Sequence, residues 1–329
     1  MATEQRTEEG VRTSGGPITA VTRWMENLSE AQYAYLLLIP ALLLLLVIAI
    51  YPLASTFLMS LSADALTGSA RLGEFVGLQN YVELLLGERN AALPRPFLDL
   101  SQPLTSAVTV TIIFTVVSVF FETLLGFAQA LILDQDFRGR RWARVAIILP
   151  WAVPIVIQGM IFYLLFQPTI GFLVEPLHQL GLISSTPQAN SFDSLLIVIV
   201  ADVWKTSAFM ALIILAGLQS IDRSLYDVAD VSGASTIERF RTITLPLVLP
   251  SVLVAMLFRT IGAMRVYGLI DTVSSCSTVP SLSCLVVQSF SASRYASAAT
   301  VAFVTAGLIA AVVSVYIIKF ADVEGGGAF

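Results

Sequence analysis

The sequence predicts an all-α membrane protein with six transmembrane helices, and two observations lead to that fold class. The first is composition: 56% of the 329 residues are hydrophobic and only 12% are charged, which excludes an ordinary water-soluble globule. The second is that six mostly apolar runs reach the length of about 20 residues that a spanning helix needs. The predicted spans cover residues 33–61, 104–133, 145–167, 195–219, 245–270 and 296–320.

The two ends of the chain are predicted to lie outside this transmembrane domain of residues 33–320. Residues 1–32 are polar and rich in Gly, Thr and Glu, and they contain no short apolar core followed by a small-residue cleavage site. They are therefore expected to form a disordered cytoplasmic tail and not a signal peptide. Residues 321–329 are predicted to form a short C-terminal tail.

The distribution of cations predicts which side of the membrane each loop faces. Short loops rich in Lys and Arg stay in the cytoplasm. With the N-terminus inside, eleven of the 18 Lys and Arg residues fall on cytoplasmic segments and four on outer segments. Both termini are therefore predicted to be cytoplasmic.

Local signals predict the elements within and between the spans. Pro52, Pro150 and Pro154 are expected to kink their helices without breaking them. The first outer loop has apolar residues at helical spacing over residues 80–86, which predicts a short amphipathic helix. The second outer loop, residues 168–194, is apolar enough to lie at the membrane interface.

Few residues suggest a redox, metal or nucleotide site. Cys276 and Cys284 lie in the last predicted outer loop, where the compartment is oxidising. The two cysteines therefore either form a disulfide or remain free thiols, and the sequence leaves both alternatives open. His178 stands in an outer loop without a Cys, His or carboxylate cluster, which argues against a metal site. The sequence has no G-x-x-x-x-G-K-[ST] phosphate loop, so no nucleotide cofactor is expected on this chain.

The polar segment between the fourth and fifth spans, residues 220–245, is predicted to form two short helices around a glycine. Asp222 is a suitable N-cap, and Gly233 permits the left-handed turn that ends the first helix. Ser235 and Glu238 match a capping box that opens the second helix. The unit suits insertion into a groove on a partner protein. The same two helices would also suit a loop that only connects the two spans, or one that lies on the lipid headgroups.

This segment, DVADVSGASTIERFRTITLPLVLP, resembles the EAA loop of the permease subunits of bacterial ABC importers. GLQNYVELL, ILPWAVPIVI and MRVYGLIDTVSS are similar to further signatures of MalF-like carbohydrate permeases, among which trehalose importers of actinobacterial type are the nearest. The likeness covers residues 33–320 and implies the MetI/MalF-like fold in a bacterial cytoplasmic membrane. It implies an ATPase-coupling role for Asp227, Ala229, Ser232, Gly233, Ala234, Ser235 and Phe240.

The resemblance also implies the partners. In such importers the EAA loop docks on a cytoplasmic ABC ATPase dimer, which binds the ATP and magnesium and drives opening of the membrane pathway. A second, similar permease subunit and an extracytoplasmic solute-binding protein complete the assembly. The remaining contacts are membrane lipid and a sugar substrate, and no nucleic acid partner is expected.

Asp227 and Ser232 depart from the Glu and Asp that are usual in the family.

A sugar site combines aromatic faces with charged or planar hydrogen-bond donors. Residue chemistry, together with the sugar-lining positions of the resembled family, selects candidate substrate-pathway residues. They are Trp151, Gln158, Lys205, Thr206, Phe209, Arg259, Arg265 and Tyr267.

Charged residues within spans should face the bundle interior, because a cation in the bilayer centre is unfavourable by about 2.5–3.5 kcal/mol on insertion scales. Asp202 precedes Lys205 by three residues and could pair with it on one helical face. Arg259 and Arg265 point in different directions, and at least one of them is expected to pair with a carboxylate such as Glu122 or Asp271.

Together these observations predict the permease subunit of an ATP-driven importer, which moves a sugar such as a trehalose- or maltose-type disaccharide by alternating access and performs no bond chemistry. Two alternatives stay open. The three intramembrane cations suit a permease for an anionic solute such as glycerol phosphate. An ion-coupled carrier acting alone is the other, although the absence of an intramembrane acid cluster with inverted repeats counts against it.

Overall fold

A computed structural model describes residues 28–65 and 72–325. Within these residues, five helices are long and apolar enough to cross a membrane, and a pair of helices bent by 92° gives a sixth candidate span. The predicted all-α class is confirmed. The candidate spans are α1 (Glu30–Ser60), α3 (Ala107–Asp134), the bent pair α4 (Arg140–Ala152) and α5 (Ile155–Leu165), α7 (Ser191–Gln219), α9 (Thr236–Met264) and α12 (Tyr295–Gly325).

Shorter elements lie between these helices. A two-stranded antiparallel hairpin follows α1, and short helices follow in the outer and inner loops. The predicted helix over residues 80–86 is present as Gln79–Leu86. These elements are β1 (Ser62–Asp64), β2 (Leu72–Phe75), α2 (Gln79–Leu86), α6 (Val174–Gln179), α8 (Arg223–Val231), α10 (Gly268–Val273) and α11 (Leu282–Ser291).

The first helix starts slightly before the predicted span. Ser29 is its N-cap, and the Gln32 side chain completes a capping box. The helix continues through Pro52 without a break, because a π-helical turn over Leu46–Ile50 changes the hydrogen-bonding register before the proline. Most of the predicted tail, residues 1–32, lies outside the described residues.

The third predicted span, residues 145–167, is broken where only a kink was expected. Pro150 stays inside α4, but Val153 and Pro154 are extended, and α4 and α5 meet at 92°. Proline disfavours the helical conformation of the residue before it, so Val153 ends the helix. The prediction of a kink at Pro154 is therefore wrong.

The fifth predicted span, residues 245–270, is wrong at both ends. Helix α9 already begins at Thr236 and passes through a π-helical turn over Phe240–Thr244 before it reaches Pro246. The helix then ends at Met264, and the chain forms the separate short helix α10. At the far end of the chain, α12 continues to Gly325 and so takes up part of the predicted C-terminal tail.

The hairpin and α2 cap the outer end of the last span. Asp64 accepts hydrogen bonds from the backbone N–H groups of Ala296 (2.8 Å) and Ser297 (3.0 Å) at the first turn of α12. The Asn80 side chain donates to the carbonyl oxygen of Ser60 (2.7 Å), and Arg89 forms a hydrogen bond to the same amide. The outer loop is therefore held by polar contacts and not only by its apolar face.

The centre of the bundle is the contact between α3 and α7. Gly126 of α3 lies so close to α7 that a Cβ atom at this position would be 2.5 Å from the Cβ of Met210. Met210 and Ile214 are fully buried behind it. Small residues let membrane helices approach closely, and here the approach brings the polar positions of α3 and α7 together.

We predict that Gly126→Ala lowers the thermal unfolding midpoint of the detergent-solubilised protein, because the added methyl group overpacks the contact between α3 and α7 by about 1–3 kcal/mol. Gly307→Ala is the matched control, since Gly307 lies in α12 with no atom within 4 Å of the added Cβ. That variant should keep or slightly raise the midpoint. Equal midpoints for both variants would contradict the close-packing interpretation.

Candidate functional site

Three charged side chains from three spans form a buried ion cluster. Arg259 of α9 donates to both carboxylate oxygens of Glu122 in α3, with Nε–Oε2 at 2.5 Å and Nη2–Oε1 at 2.9 Å. The same guanidinium also pairs with Asp202 of α7. Glu122 is completely buried, and the other two are nearly so. The bidentate geometry suits arginine, and the cluster neutralises a cation that could not stay unpaired in a membrane.

A cavity of about 240 Å³ lies beside this cluster, between α5, α7 and the end of α9. Of the eight candidate pathway residues, six line it. The six are Gln158, Lys205, Thr206, Arg259, Arg265 and Tyr267.

The other two candidates, Trp151 and Phe209, do not line the cavity. Their rings stack on each other with centroids 6.3 Å apart. Trp151 belongs to α4, so this stack packs α4 against α7 next to the helix break.

Two polar side chains of the cavity are tied to backbone carbonyls. Lys205 Nζ donates to the carbonyl oxygen of Val153 at 2.7 Å, and Gln158 Nε2 donates to that of Ala201 at 2.5 Å. The break at Pro154 leaves helix-terminal carbonyls without an intrahelical donor, and Lys205 satisfies one of them. Gln158 is fully buried, and its Oε1 has no hydrogen-bond partner among the described residues.

The predicted pairing of Asp202 with Lys205 is wrong. Asp202 pairs with Arg259, and the Lys205 ammonium reaches across to Val153. A guanidinium can hold two carboxylates at once, which favours Arg259 as the partner. The expected partner Glu122 does pair with an arginine, whereas Asp271 instead accepts a 3.3 Å hydrogen bond from Tyr267 Oη.

Cys276, which follows α10, and Cys284 of α11 form a disulfide, and both side chains are buried. The loop that the bond closes contains Ser281, which caps α11 and donates from Oγ to the carbonyl oxygen of Val266 at 2.8 Å. Val266 is part of the cavity wall. The disulfide therefore braces an outer segment that contacts the cavity wall.

The EAA-like loop, residues 220–245, has the helix–turn–helix form that its capping residues predict. Asp222 caps α8, and the hydrogen bond from the backbone N–H of Ser224 holds the pKa of this carboxyl below its ordinary value. Gly233 has φ +78°, and Ser235 and Glu238 form the expected capping box. Arg239 pairs with Asp230 across the turn and so fixes the two short helices relative to each other.

One face of the EAA-like loop is anchored to the bundle. Tyr226 Oη and Thr244 Oγ1 are 3.0 Å apart, and the ring of Phe240 contacts that of Phe127 in α3 edge-on with centroids 5.9 Å apart. Tyr226 and Ile243 also pack against the buried cluster between α3, α7 and α9.

The opposite face of this loop is open. Val228, Val231 and Ile237 expose 67%, 91% and 66% of their surfaces. Asp227 lies beside them, also exposed. The remaining candidate residues of the loop set its shape: Ser232 is the C-cap of α8, and the backbone N–H of Ala234 donates to Ala229 at 2.9 Å. An apolar tip on a rigid, anchored base is an arrangement suited to protein contact.

Residues 122–322 match the family model described as binding-protein-dependent transport system inner membrane component. The match covers more than half of the chain and contains the ion cluster, the cavity and the EAA-like loop. The chain belongs to this family. It is therefore a multi-pass inner-membrane permease component of the ABC importer type, as the EAA-like motif predicted.

Individual relatives agree with this assignment. The permease is 37% identical over 73% of its length to the trehalose/maltose transport system permease protein MalF of Thermococcus litoralis, of which 76% is covered. It is 35% identical over 79% of its length to the sulfoquinovosyl glycerol transport system permease protein SmoG of Agrobacterium fabrum, of which 79% is covered. The fold is similar, with a TM-score of 0.73 at 19% identity, to a bacterial ABC transporter for import of the acidic polysaccharide alginate, with 91% of this chain and 98% of that chain covered.

Other parts of the site were not identifiable from residue patterns. The Val153 carbonyl accepts a hydrogen bond from Lys205, and Gly262 lines the cavity beside Arg259. Only the carbonyl had a signal in the sequence, because a residue that precedes proline tends to end a helix. Across the residues that the structure describes, no group of three or more His, Cys, Asp or Glu side chains is placed to hold a metal ion.

We predict that Arg259→Gln destabilises the permease by about 3–5 kcal/mol, because it leaves Glu122 and Asp202 buried next to each other without a counter-charge. The thermal unfolding midpoint in detergent measures this loss. Arg265→Gln removes an exposed arginine of the same cavity and should change the midpoint little. A midpoint for Arg259→Gln equal to that of the control would contradict the stabilising role of the cluster.

Proposed function

We propose that this permease moves a sugar, of the size and type of a trehalose- or maltose-type disaccharide, across the bacterial cytoplasmic membrane by alternating access. The observation that carries the proposal is the pairing of a donor-lined cavity with an anchored EAA-like loop on one continuous helix, α9. The sugar permeases among its relatives support the substrate class.

The EAA-like loop is proposed to dock on a separate cytoplasmic ATPase dimer that binds the ATP and magnesium. Val228, Val231 and Ile237 would enter a groove of the ATPase, and Asp227 would contact its rim. Since Phe240 and Tyr226 hold the base of the loop against the bundle, movement of the ATPase would be passed to α9 and α3. We infer that both termini then lie in the cytoplasm.

The cavity is proposed to form part of the substrate pathway. Lys205 and Arg265 offer donors to sugar hydroxyls, the Thr206 hydroxyl, which itself donates to the carbonyl oxygen of Asp202, offers an acceptor, and Tyr267 offers a ring face. Pockets that enclose a small ligand usually measure about 300–1,000 Å³. The cavity of about 240 Å³ is smaller, so a second, similar permease would supply the facing wall. An extracytoplasmic solute-binding protein would deliver the sugar.

An anionic solute is the second candidate substrate. The specific observation in its favour is that Lys205 and Arg265 have no carboxylate within salt-bridge distance among the described residues, while Arg259 is already neutralised. A carboxylate, sulfonate or phosphate group could pair with either cation.

We predict that Gly233→Pro and Asp227→Lys abolish sugar uptake and ATPase co-purification while the permease still inserts into the membrane. Proline fixes φ near −65°, which the φ of +78° at Gly233 excludes, and a lysine reverses the charge at the loop rim. Gly181→Pro is the matched control, because Gly181 has φ +71° in an outer loop. Uptake that survives both loop variants, or that persists without the ATPase, would favour a carrier acting alone.

We predict that a neutral disaccharide stimulates ATP hydrolysis by the reconstituted complex more strongly than sn-glycerol 3-phosphate does. Lys205→Met should raise the half-saturating sugar concentration by about tenfold or more, because a charged hydrogen bond contributes about 1.5–3 kcal/mol. Lys205→Arg, which keeps the charge, should restore much of the affinity. Preferential stimulation by the anionic solute would instead support the second candidate substrate.

A further inference from the structure

The turn between α3 and α4, together with the start of α4, carries an unusual density of arginines. Arg138, Arg140, Arg141 and Arg144 all lie within seven residues, at the end of the bent span that is predicted to be cytoplasmic. These four arginines do not line the cavity, and they lie outside the EAA-like loop. Their surroundings decide whether they are a neutralised surface or an open cationic site.

Both aspartates of this turn are already occupied. Asp136 pairs with Arg140 at 2.8 Å, and the Arg140 Nε also donates to the carbonyl oxygen of Leu133 at 2.7 Å. Asp134 pairs with Arg223 of α8 at 3.2 Å. Among the residues that the structure describes, no carboxylate lies within salt-bridge distance of the three remaining arginines, Arg138, Arg141 and Arg144. All three are exposed.

The outer face of α4 continues from these arginines into an apolar stripe. Trp142, Val145 and Leu149 follow helical spacing and are exposed, with Trp142 at 75%. The opposite face, which includes Ala143 and Ile147, packs against the bundle. The stripe therefore points away from the protein, and it begins with a tryptophan, a residue that favours the headgroup level of a membrane.

We propose that Arg138, Arg141 and Arg144, together with Trp142, form a binding site for the headgroup of an anionic phospholipid. The guanidinium groups bind the phosphate, the indole lies at the headgroup level, and Val145 and Leu149 contact the acyl chains. A phospholipid suits this surface better than a protein partner does, because exposed arginines and exposed apolar side chains alternate at the start of a membrane-spanning pair of helices, where lipid headgroups meet acyl chains. The site is separate from the substrate pathway and from the EAA-like loop.

The test uses the full-length permease in phosphatidylcholine vesicles with a minor fraction of phosphatidylglycerol. Quenching of Trp142 is measured as the difference between the parent protein and Trp142→Phe. One set of vesicles carries bromine on the phosphatidylglycerol chains, and the other carries it on an equal fraction of the phosphatidylcholine. We expect stronger quenching by the brominated phosphatidylglycerol, and we expect added salt to weaken that preference. Equal quenching in both sets would overturn the proposal.

Three variants isolate the arginines. The triple change to Gln should abolish the preference, with about a fivefold loss of relative affinity for each arginine removed. The triple change to Lys keeps the charge and should retain most of the preference for phosphatidylglycerol. The control Arg294→Gln, at the start of α12, should retain all of this preference.

If the triple Gln variant does not accumulate, Arg141→Gln alone should show the fivefold loss. A preference that survives the triple Gln change, or that inorganic phosphate removes at an ionic strength at which sodium chloride leaves it in place, would refute a phospholipid site at these residues.

Discussion

Arg259 carries a charge in the membrane interior, and the arrangement of three helices follows from the need to neutralise it. Glu122 and Asp202 reach the same guanidinium from α3 and α7, which fixes the rotation of each helix about its axis. Lys205 lies one turn beyond Asp202, so that rotation also directs Lys205 at the carbonyl where α4 ends. The ion cluster thereby decides which side chains face the cavity.

Helix α9 connects the EAA-like loop with the cavity. It begins at the capping box of the EAA-like loop and runs for 29 residues, a length of about 43 Å at 1.5 Å per residue, and it lines the cavity from Arg259 onward. The hydrogen-bonded ladder of a helix resists compression, and the contacts with α3 hold both ends of this one: Phe240 packs on Phe127, and Arg259 binds Glu122. A displacement of the EAA-like loop would therefore be transmitted along α9 to the cavity.

The sequence predicts this molecule well wherever the signal is local. Apolar run length predicted the number of long apolar segments but not where the third and fifth break or end. The side chains of Asp222, Ser235 and Glu238 predicted helix starts in the EAA-like loop, because capping depends on residues within one turn. Long-range choices were harder. Asp202 had a cation three residues away, yet it pairs with one 57 residues further along the chain, because burial and the two-sided geometry of a guanidinium outweigh sequence proximity. At the break before Pro154, the Val153 carbonyl likewise finds its partner far along the chain, because Lys205 of another helix donates to it.

The π-helical turn over Phe240–Thr244 has a consequence for how such permeases diverge. A π-helical turn holds one residue more than an α-helical turn, and each residue of an α-helix advances the chain by about 100°. The five residues of the π-helical turn cover nearly the same angle about the axis as four α-helical residues, so a single-residue deletion within Phe240–Thr244 would restore ordinary α-helical hydrogen bonding and leave the flanking segments in nearly the same rotation. Related chains can therefore gain or lose this residue while the EAA-like loop keeps its orientation on the bundle. Aligning such chains by residue type alone would hide the change, whereas aligning them by the position of this extra residue would reveal it.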